Sequence, residues 1–599
     1  MNREERVALK ICEKRMCIMS KNESLDRISW LPEHVLHVIL DKLPLKDAAR
    51  SSVLSKTWKS VCSSYPMTPF VNLDHNLFGL KSLESVQEPD IDEIRKNFID
   101  FVDDDLFQLV QNKLRVHKLA LYVAVSDSIC FSRVDHLIEL VTKVSMVEEL
   151  CLFVQTKDAG WKEIEEDYIY YSIPFSVLAS KGLRSLNVHG CKFSSSMSIA
   201  FSSLQHLSLT YAVIDEDDVM NITRSCPAIE TLEFDHCTFW IETLELSVFP
   251  RLKKAAFLEN YNWLYNIIVV DHTSLESFKS DALTMCEFTP SGCGSIRELI
   301  LSCQSSVSPL DLFVNLDTFP LLEEAELSIE LSCLDGANTF RAANHHLRRL
   351  FLSIRKFYEG IQVKKIDIDC PNLEFFEFHG GDPKQIFINC PSLRQFHYVG
   401  DKIPVLPVFN SSPACLEDIY FRLGMICNFT SQWFIQLRGL SELMAQLGSV
   451  VRLNLDCFVQ KVDFAPKEFG ANEALRQQNV HLEIYLRHLH IPVGFVDGLI
   501  WSTRATTSTI CGHQRDFVKE MCQKLAKKSQ DENCEKSCDK CWWHHIQKFE
   551  VENSIKEEDV TCNLTSLVET PLSFRRPKTS FKLGWRINQY NNASSLLCI

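Results

Sequence analysis

The feature that most narrows what this chain can fold into is a six-residue phrase, leucine-x-x-leucine-x-leucine in its cleanest form, that returns at short and regular intervals. It reads LRSLNV at Leu183, LQHLSL at Leu204, IETLEF at Ile229, LKKAAF at Leu252 and LESFKS at Leu275. It continues as IRELIL at Ile296, LEEAEL at Leu322, LRRLFL at Leu347, LEFFEF at Leu373 and LRQFHY at Leu393. Successive starts lie 20 to 26 residues apart. Three apolar side chains on so short a strand cannot be buried by their own unit, so neighbouring units must stack and share one core. Weaker versions stand near Leu119 (HKLALYV), Val147 (VEELCL) and Val451 (VVRLNL), which extends the expected array over residues 116–490.

This spacing resembles that of leucine-rich repeats, whose period is about 20 to 29 residues. Three phrases follow the same dipeptide, Cys226-Pro227, Cys370-Pro371 and Cys390-Pro391. There proline ends the preceding segment and cysteine fills core as a small apolar residue. The expected architecture is α/β: a solenoid, or horseshoe, whose short strands line a concave surface suited to protein binding. Residues between the apolar anchors should face outward from it, because strand side chains alternate between two faces. From these positions Arg184, His206, Glu233, Arg297, Arg348, Phe351, Phe375 and Arg394 are the candidate substrate-binding residues. Phe351 and Phe375, aromatic among charges, have the mixture that interface anchors require.

Before the repeats, Leu31, Val35, Leu36, Ile39, Leu40 and Leu43 recur at helical spacing, with Pro32 and Glu33 suited to a first turn. Pro44 disfavours helix at Leu43 and can open a second short helix. Ser55 can cap a third helix containing Trp58 and Val61. Three helices in about forty residues are too small a core to stand without a partner or neighbour. The wording LPEHVLHVILDKLPLKDAARSSVLSKTWKSVCSS resembles the F-box, and with the repeats the chain resembles the plant F-box leucine-rich-repeat proteins. That resemblance implies the substrate-recognition subunit of an SCF-type ubiquitin ligase, a non-catalytic receptor. Its F-box would dock on a Skp-type adaptor, and through it a cullin, by Leu31, Pro32, Ile39, Leu45, Val53, Leu54, Ser55, Lys56 and Trp58. The repeat face would hold a protein substrate. The alternative is a leucine-rich-repeat scaffold that recruits no ligase.

The chain then divides into a flexible tail (1–25), the F-box (26–66), a connecting segment (67–115), the solenoid (116–490) and a small cysteine-rich, helix-containing cap with its tail (491–599). A formal net charge of −15, with acids spread along the chain, argues against nucleic acid and anionic membrane as partners. The charged start MNREERVALKICEKRMCIMS lacks the apolar core of a secretion signal, and no apolar run approaches the roughly 18 residues of a membrane span, so a cytoplasmic or nuclear location is expected. In that setting the 24 cysteines are expected as thiols. The string CEKSCDKCWWHH offers a C-x-x-C pair, Cys538 and Cys541, with His544 or His545 nearby, but the fourth zinc ligand is not obvious. The favoured reading is apolar capping by Phe517, Met521, Leu525, Cys541, Trp542 and Ile546 on two packed helices, with no metal and no cofactor. H-E-x-x-H, G-x-S-x-G and Walker-type sequences are missing, in keeping with a non-enzyme.

Overall fold

The computed structural model describes residues 28, 31–41, 51, 53–64, 70–74, 117–125, 128–144, 147–156, 171–192, 201–241, 243–260, 266–269, 274–280, 285–288, 294–303, 316–330, 339–355, 363–380, 383–400, 402–404, 407–409, 416–446, 450–462, 480–486, 494–511, 515–527, 542–554, 560–561 and 578–585. They fall into two compact units, residues 1–275 and 276–599.

In the first unit, helix Glu33–Asp41 begins just after Pro32, whose carbonyl accepts the amides of Val35 and Leu36 at 2.8 and 3.1 Å. Helix Lys56–Ser64 is capped by Ser55, whose hydroxyl accepts the amide of Trp58 at 3.1 Å. Leu36, Leu40, Trp58 and Val61 close a small core, with Ile39 packed against it. The expected middle helix lies outside the described residues except for Ser51, which is helical and buried, and Leu45 lies outside them altogether.

The strands follow the repeat wording and start before it. Phe70–Asp74, within the stretch expected to be a connector, pairs in parallel with Lys118–Val125. Next to it come Glu149–Thr156, Ser185–His189, His206–Thr210, Thr231–Asp235 and Lys254–Leu258, each parallel to its neighbour. Within each strand the phrase's second and third apolar residues point inward. Leu186 and Val188, Leu207 and Leu209, and Leu232 and Phe234 are all buried, each contributing about 1.5–3 kcal/mol for a fully buried large side chain. A minor parallel sheet, Tyr171–Ser172, Cys191–Lys192, Val213–Ile214 and Thr238–Phe239, packs on the same core, and Phe239 meets Phe234 edge-on at 5.2 Å. Cys226 caps helix Glu216–Ser225 and is followed by Pro227, the stop anticipated from the sequence.

Four strand ends in this unit turn through left-handed backbone at Gly190, Tyr211, His236 and Glu259. These residues stand side by side, and the amides of the first three donate to Thr210, Asp235 and Leu258 carbonyls at 2.9, 3.0 and 2.8 Å. The residue after each, Cys191, Ala212, Cys237 or Asn260, is buried. Asn260 accepts the Cys237 amide at 2.8 Å and donates to the Phe234 carbonyl at 3.1 Å, so one repeat closes polar groups of the one before.

The second unit repeats the plan. Ser277–Ser280, Glu298–Cys303, Glu324–Glu330, Arg349–Arg355, Phe375–Gly380, Gln395–Gly400, Asp418–Phe429, Val450–Val462, Val480–Leu486 and Thr507–Cys511 form consecutive parallel pairs. A minor sheet runs through Thr339–Ala343, Lys365–Asp369, Gln385–Ile388 and Val408–Phe409. Cys370 and Cys390 are buried, and their prolines follow strands here instead of a helix. Buried Asn344 uses its whole amide, accepting from the His346 and Leu347 amides and donating to the Leu316 and Phe319 carbonyls.

The end of the sheet differs from the pair of packed helices expected there. Trp542 lies in a 3-10 turn, Trp542–His545, and Ile546 opens strand Ile546–Ser554. That strand runs antiparallel to Lys578–Trp585, which in turn pairs antiparallel with Thr507–Cys511. Residues alternate in burial here, as Phe581, Leu583 and Trp585 show, so the period is that of a strand. Helix Arg515–Lys527 does bury Met521 and Leu525 as expected. Asp497, on helix Phe495–Thr503, accepts from Lys524 and, at 2.9 Å, from the Trp542 indole, tying the elements together. Of the cysteines and histidines singled out in the tail, Cys538 and Cys541 lie outside the described residues, and His544 and His545 belong to the turn Trp542–His545.

Replacing Asn344 with alanine strips four hydrogen-bond partners from buried backbone groups. We expect Asn344→Ala to cost about 3 kcal/mol, read as a lowered midpoint of urea unfolding.

Candidate functional site

Two surfaces can meet a partner. The first is the outside of the small helical core. Trp58 and Ile39 face inward, whereas Leu31, Val53 and Leu54 face solvent, Val53 and Leu54 being 83% and 68% exposed. Ile28 adds a fourth exposed apolar side chain. Pro32 and Ser55 are half-buried at helix starts, and Lys56 is exposed. The four exposed apolar side chains lie outside the small core formed by Leu36, Leu40, Trp58 and Val61.

The second surface is the outward face of the strands. Four of the arginines anticipated there, Arg184, Arg297, Arg348 and Arg394, sit one residue before their strands instead of within them. Strand alternation does not govern that turn position, which the sequence reading overlooked. It forms a ladder of its own. In the second unit Glu276, Arg297, Glu323, Arg348, Glu374, Arg394 and Glu417 follow one another, each amide donating to the previous residue's carbonyl at 2.8–2.9 Å. The charge alternates at every step. Arg297 is ion-paired with Glu323, and in the first unit Arg184 lies 3.5 Å from Glu148 and Lys253 lies 2.8 Å from Glu230.

In strands such as Ser185–His189 and Phe375–Gly380 the face positions are the first, third and fifth residues. In the first unit His206 lies beside Thr231, 3.0 Å from its hydroxyl, and Glu233 is exposed between Ser208 and Ala256. At the strand ends Tyr122 stacks on Phe153, and Phe153 on His189 with centroids 3.9 Å apart. Tyr211 then meets His189 at 5.0 Å and His236 at 4.7 Å. His236 is held by Asp235 at 2.8 Å and Glu259 at 2.7 Å. Burial among these rings pushes the His189 imidazole down to about 4, against the opposing pull of Asp235 and with the help of His236. This ring stack was not foreseen, although Tyr122, Phe153 and His189 share the fifth strand position and were open to recognition by it.

In the second unit, the row Glu326, Phe351, Glu377, His397, Tyr420, Arg452 runs across six strands. Beside it lies the row Glu324, Arg349, Phe375, Gln395, Asp418. Phe351 meets His379 edge-on at 4.6 Å, and Phe375 meets His397 at 5.0 Å. Glu377 joins two imidazoles, His379 at 2.6 Å and His397 at 3.4 Å. The Arg349 guanidinium lies 5.1 Å from the Phe375 centroid, and that of Arg452 lies 5.5 Å from Tyr420 while pairing with Asp418. The candidate residues thus divide: Arg184, His206 and Glu233 belong to the first unit, the others to the second, where only Phe351 and Phe375 lie in the face rows.

Cys226, Cys237, Cys370 and Cys390 carry thiols pushed up to about 12 by burial, so they are core and not reactive groups. Among the described residues no group of His, Cys, Asp and Glu is arranged to hold a metal ion, and no helix is long and apolar enough to cross a membrane.

Residues 28–68 match the F-box domain, and residues 135–290 match the repeats of the FBD-associated F-box protein At5g56370. The chain therefore carries an F-box and leucine-rich repeats of the kind found in plant F-box/LRR-repeat proteins. It is 27% identical over 222 residues to the F-box/LRR-repeat protein At5g54820 of Arabidopsis thaliana, covering 35% of this chain and 43% of that protein. To the F-box protein At3g59000 of the same plant it is 26% identical, covering 43% of this chain and 44% of the relative. A third, the F-box/LRR-repeat protein At3g03360, is 26% identical over 38% of this chain and 42% of its own length. The chain thus spans less than half the length of these relatives.

A histidine of depressed pKa binds fewer protons folded than unfolded, so its burial favours the folded state fully above the ordinary value of 6.5 and loses that advantage as pH falls toward 4. Stability should therefore fall as pH is lowered through this window. The fall should be shallower in His189→Gln, measured by urea unfolding at several pH values.

Proposed function

We propose that this chain is a non-catalytic substrate receptor of an SCF-type ubiquitin ligase, its F-box docking on a Skp-type adaptor and its repeat face binding a protein to be marked. F-box domains generally bind such adaptors. The observation that carries the reading is the exposure of Leu31, Val53 and Leu54 around a helical core that already has its own buried residues. Apolar groups at that density in water gain free energy by docking, at about 25 cal/mol per Å² covered. Trp58 and Ile39 act from behind by fixing the helices; Ser55 sets the start of the helix that carries Trp58 and Lys56. Leu45 and Pro32 complete the docking set. The cullin is reached through the adaptor.

On the repeats, a broad sheet face carrying half-buried aromatics between charged residues has the composition of a protein-binding surface. The division of the chain into F-box, connector, repeat body and cap is part of this proposal, as is a working place in the cytoplasm or nucleus. No cofactor is invoked.

The test is capture of a plant Skp-type adaptor by the full chain. Val53→Asp/Leu54→Asp should abolish capture while leaving the thermal midpoint nearly unchanged, because both side chains are solvent-exposed. Intact protein that captures no adaptor would leave a leucine-rich-repeat scaffold as the better description.

A further inference from the structure

We propose that the ring of Phe351, set between Glu326 and Glu377, is a cation site for a lysine or arginine side chain on a basic segment of the client protein. The inference rests on the reading that this sheet face holds a client, and it specifies the client's chemistry. In register, Phe351 has Glu326 on one neighbouring strand and Glu377 on the other. Adjacent strands lie about 4.8 Å apart, so both residues stand beside Phe351.

The chain fills two comparable sites with its own arginines. Arg349 lies over Phe375 with the Glu324 carboxylate 4.0 Å away, and Arg452 lies over Tyr420 while bonded to Asp418. Each is an aromatic face, a carboxylate and a guanidinium, the combination in which cation–π attraction and ion pairing act together. At Phe351 the first two parts recur; the His379 imidazole packs against the ring at an angle, and among the described residues no lysine or arginine lies over it. Glu377 is engaged by His379 and His397, so Glu326, exposed and without an ion-pair partner among the described residues, is the carboxylate left for an incoming charge.

Charge complementarity also selects the sign of the occupant. An acidic segment would need free cations beside Phe351; Arg349 and Arg452 are paired with Glu324 and Asp418, and exposed Arg422 stands three strands away. A basic segment finds Glu326 on the strand beside the half-buried ring of Phe351.

The probe is a short fluorescent peptide of alternating arginine and serine, compared with the same peptide carrying glutamine for arginine, on the full chain held with its adaptor. Fluorescence anisotropy should show binding of the arginine peptide and about tenfold weaker binding of the glutamine one. Glu326→Gln and Phe351→Leu should each weaken the arginine peptide about five- to tenfold, and Phe351→Tyr should keep its affinity. Glu374→Gln, which removes the same charge from the ladder before the strands, should change it less than about twofold. Equal loss in Glu374→Gln and Glu326→Gln, or equal binding of the two peptides, would overturn the site. So would absence of binding in a preparation that still captures adaptor, whereas peptide binding without adaptor capture would overturn the ligase reading alone.

Discussion

Everything in the repeat body depends on one constraint: a strand of five or six residues has edges that it cannot satisfy and a core that it cannot close. Both needs are met by the next repeat. Backbone amides cross from strand to strand in parallel register, and side chains complete what the backbone leaves over. Asn260 closes groups on Phe234 and Cys237, and Asn344 closes groups on either side of itself, including two carbonyls more than twenty residues earlier. Stability is consequently built from nearest-neighbour terms. The outward face, contributing little to the core, is left open to chemistry.

The helical segment before the repeats obeys the opposite economy. It holds four buried core residues and keeps apolar side chains outside, Val53 and Leu54 foremost. In the function proposed, that surface is the one the adaptor covers. Its sequence signature was legible because helix starts have strong local rules: Pro32 before the first helix and Ser55 before the last are placed by capping chemistry that acts over three or four residues.

The strands were equally legible, since each buried pair recurs with the phrase. What escaped the sequence was position by position detail at the strand borders. Arg184, Arg297, Arg348 and Arg394 were assigned to the face by alternation, but they precede the strands, where the chain still turns and parity carries no meaning. The buried residues after the left-handed turns, Cys191, Cys237 and Asn260, fall three positions beyond the last leucine-type anchor, a spacing the phrase as first read did not include. Strand Phe70–Asp74 escaped because it lacks the phrase, and the closing antiparallel strands because Cys541, Trp542 and Ile546 were matched to helical spacing although Ile546 opens a strand. Of the face itself, Phe351 and Phe375 were visible as aromatics among charges; the arginine lying over one and not the other is a property of register, which no single repeat contains.

The alternating ladder from Glu276 to Glu417 has a consequence for how such a chain can lengthen or shorten. Excising one internal repeat would bring two residues of the same sign onto adjacent rungs, a penalty of roughly 0.2–1 kcal/mol at each new junction. Excising two restores the alternation. The border of the sheet thus keeps a parity count, and the array accommodates gain or loss of repeats more readily in pairs than singly.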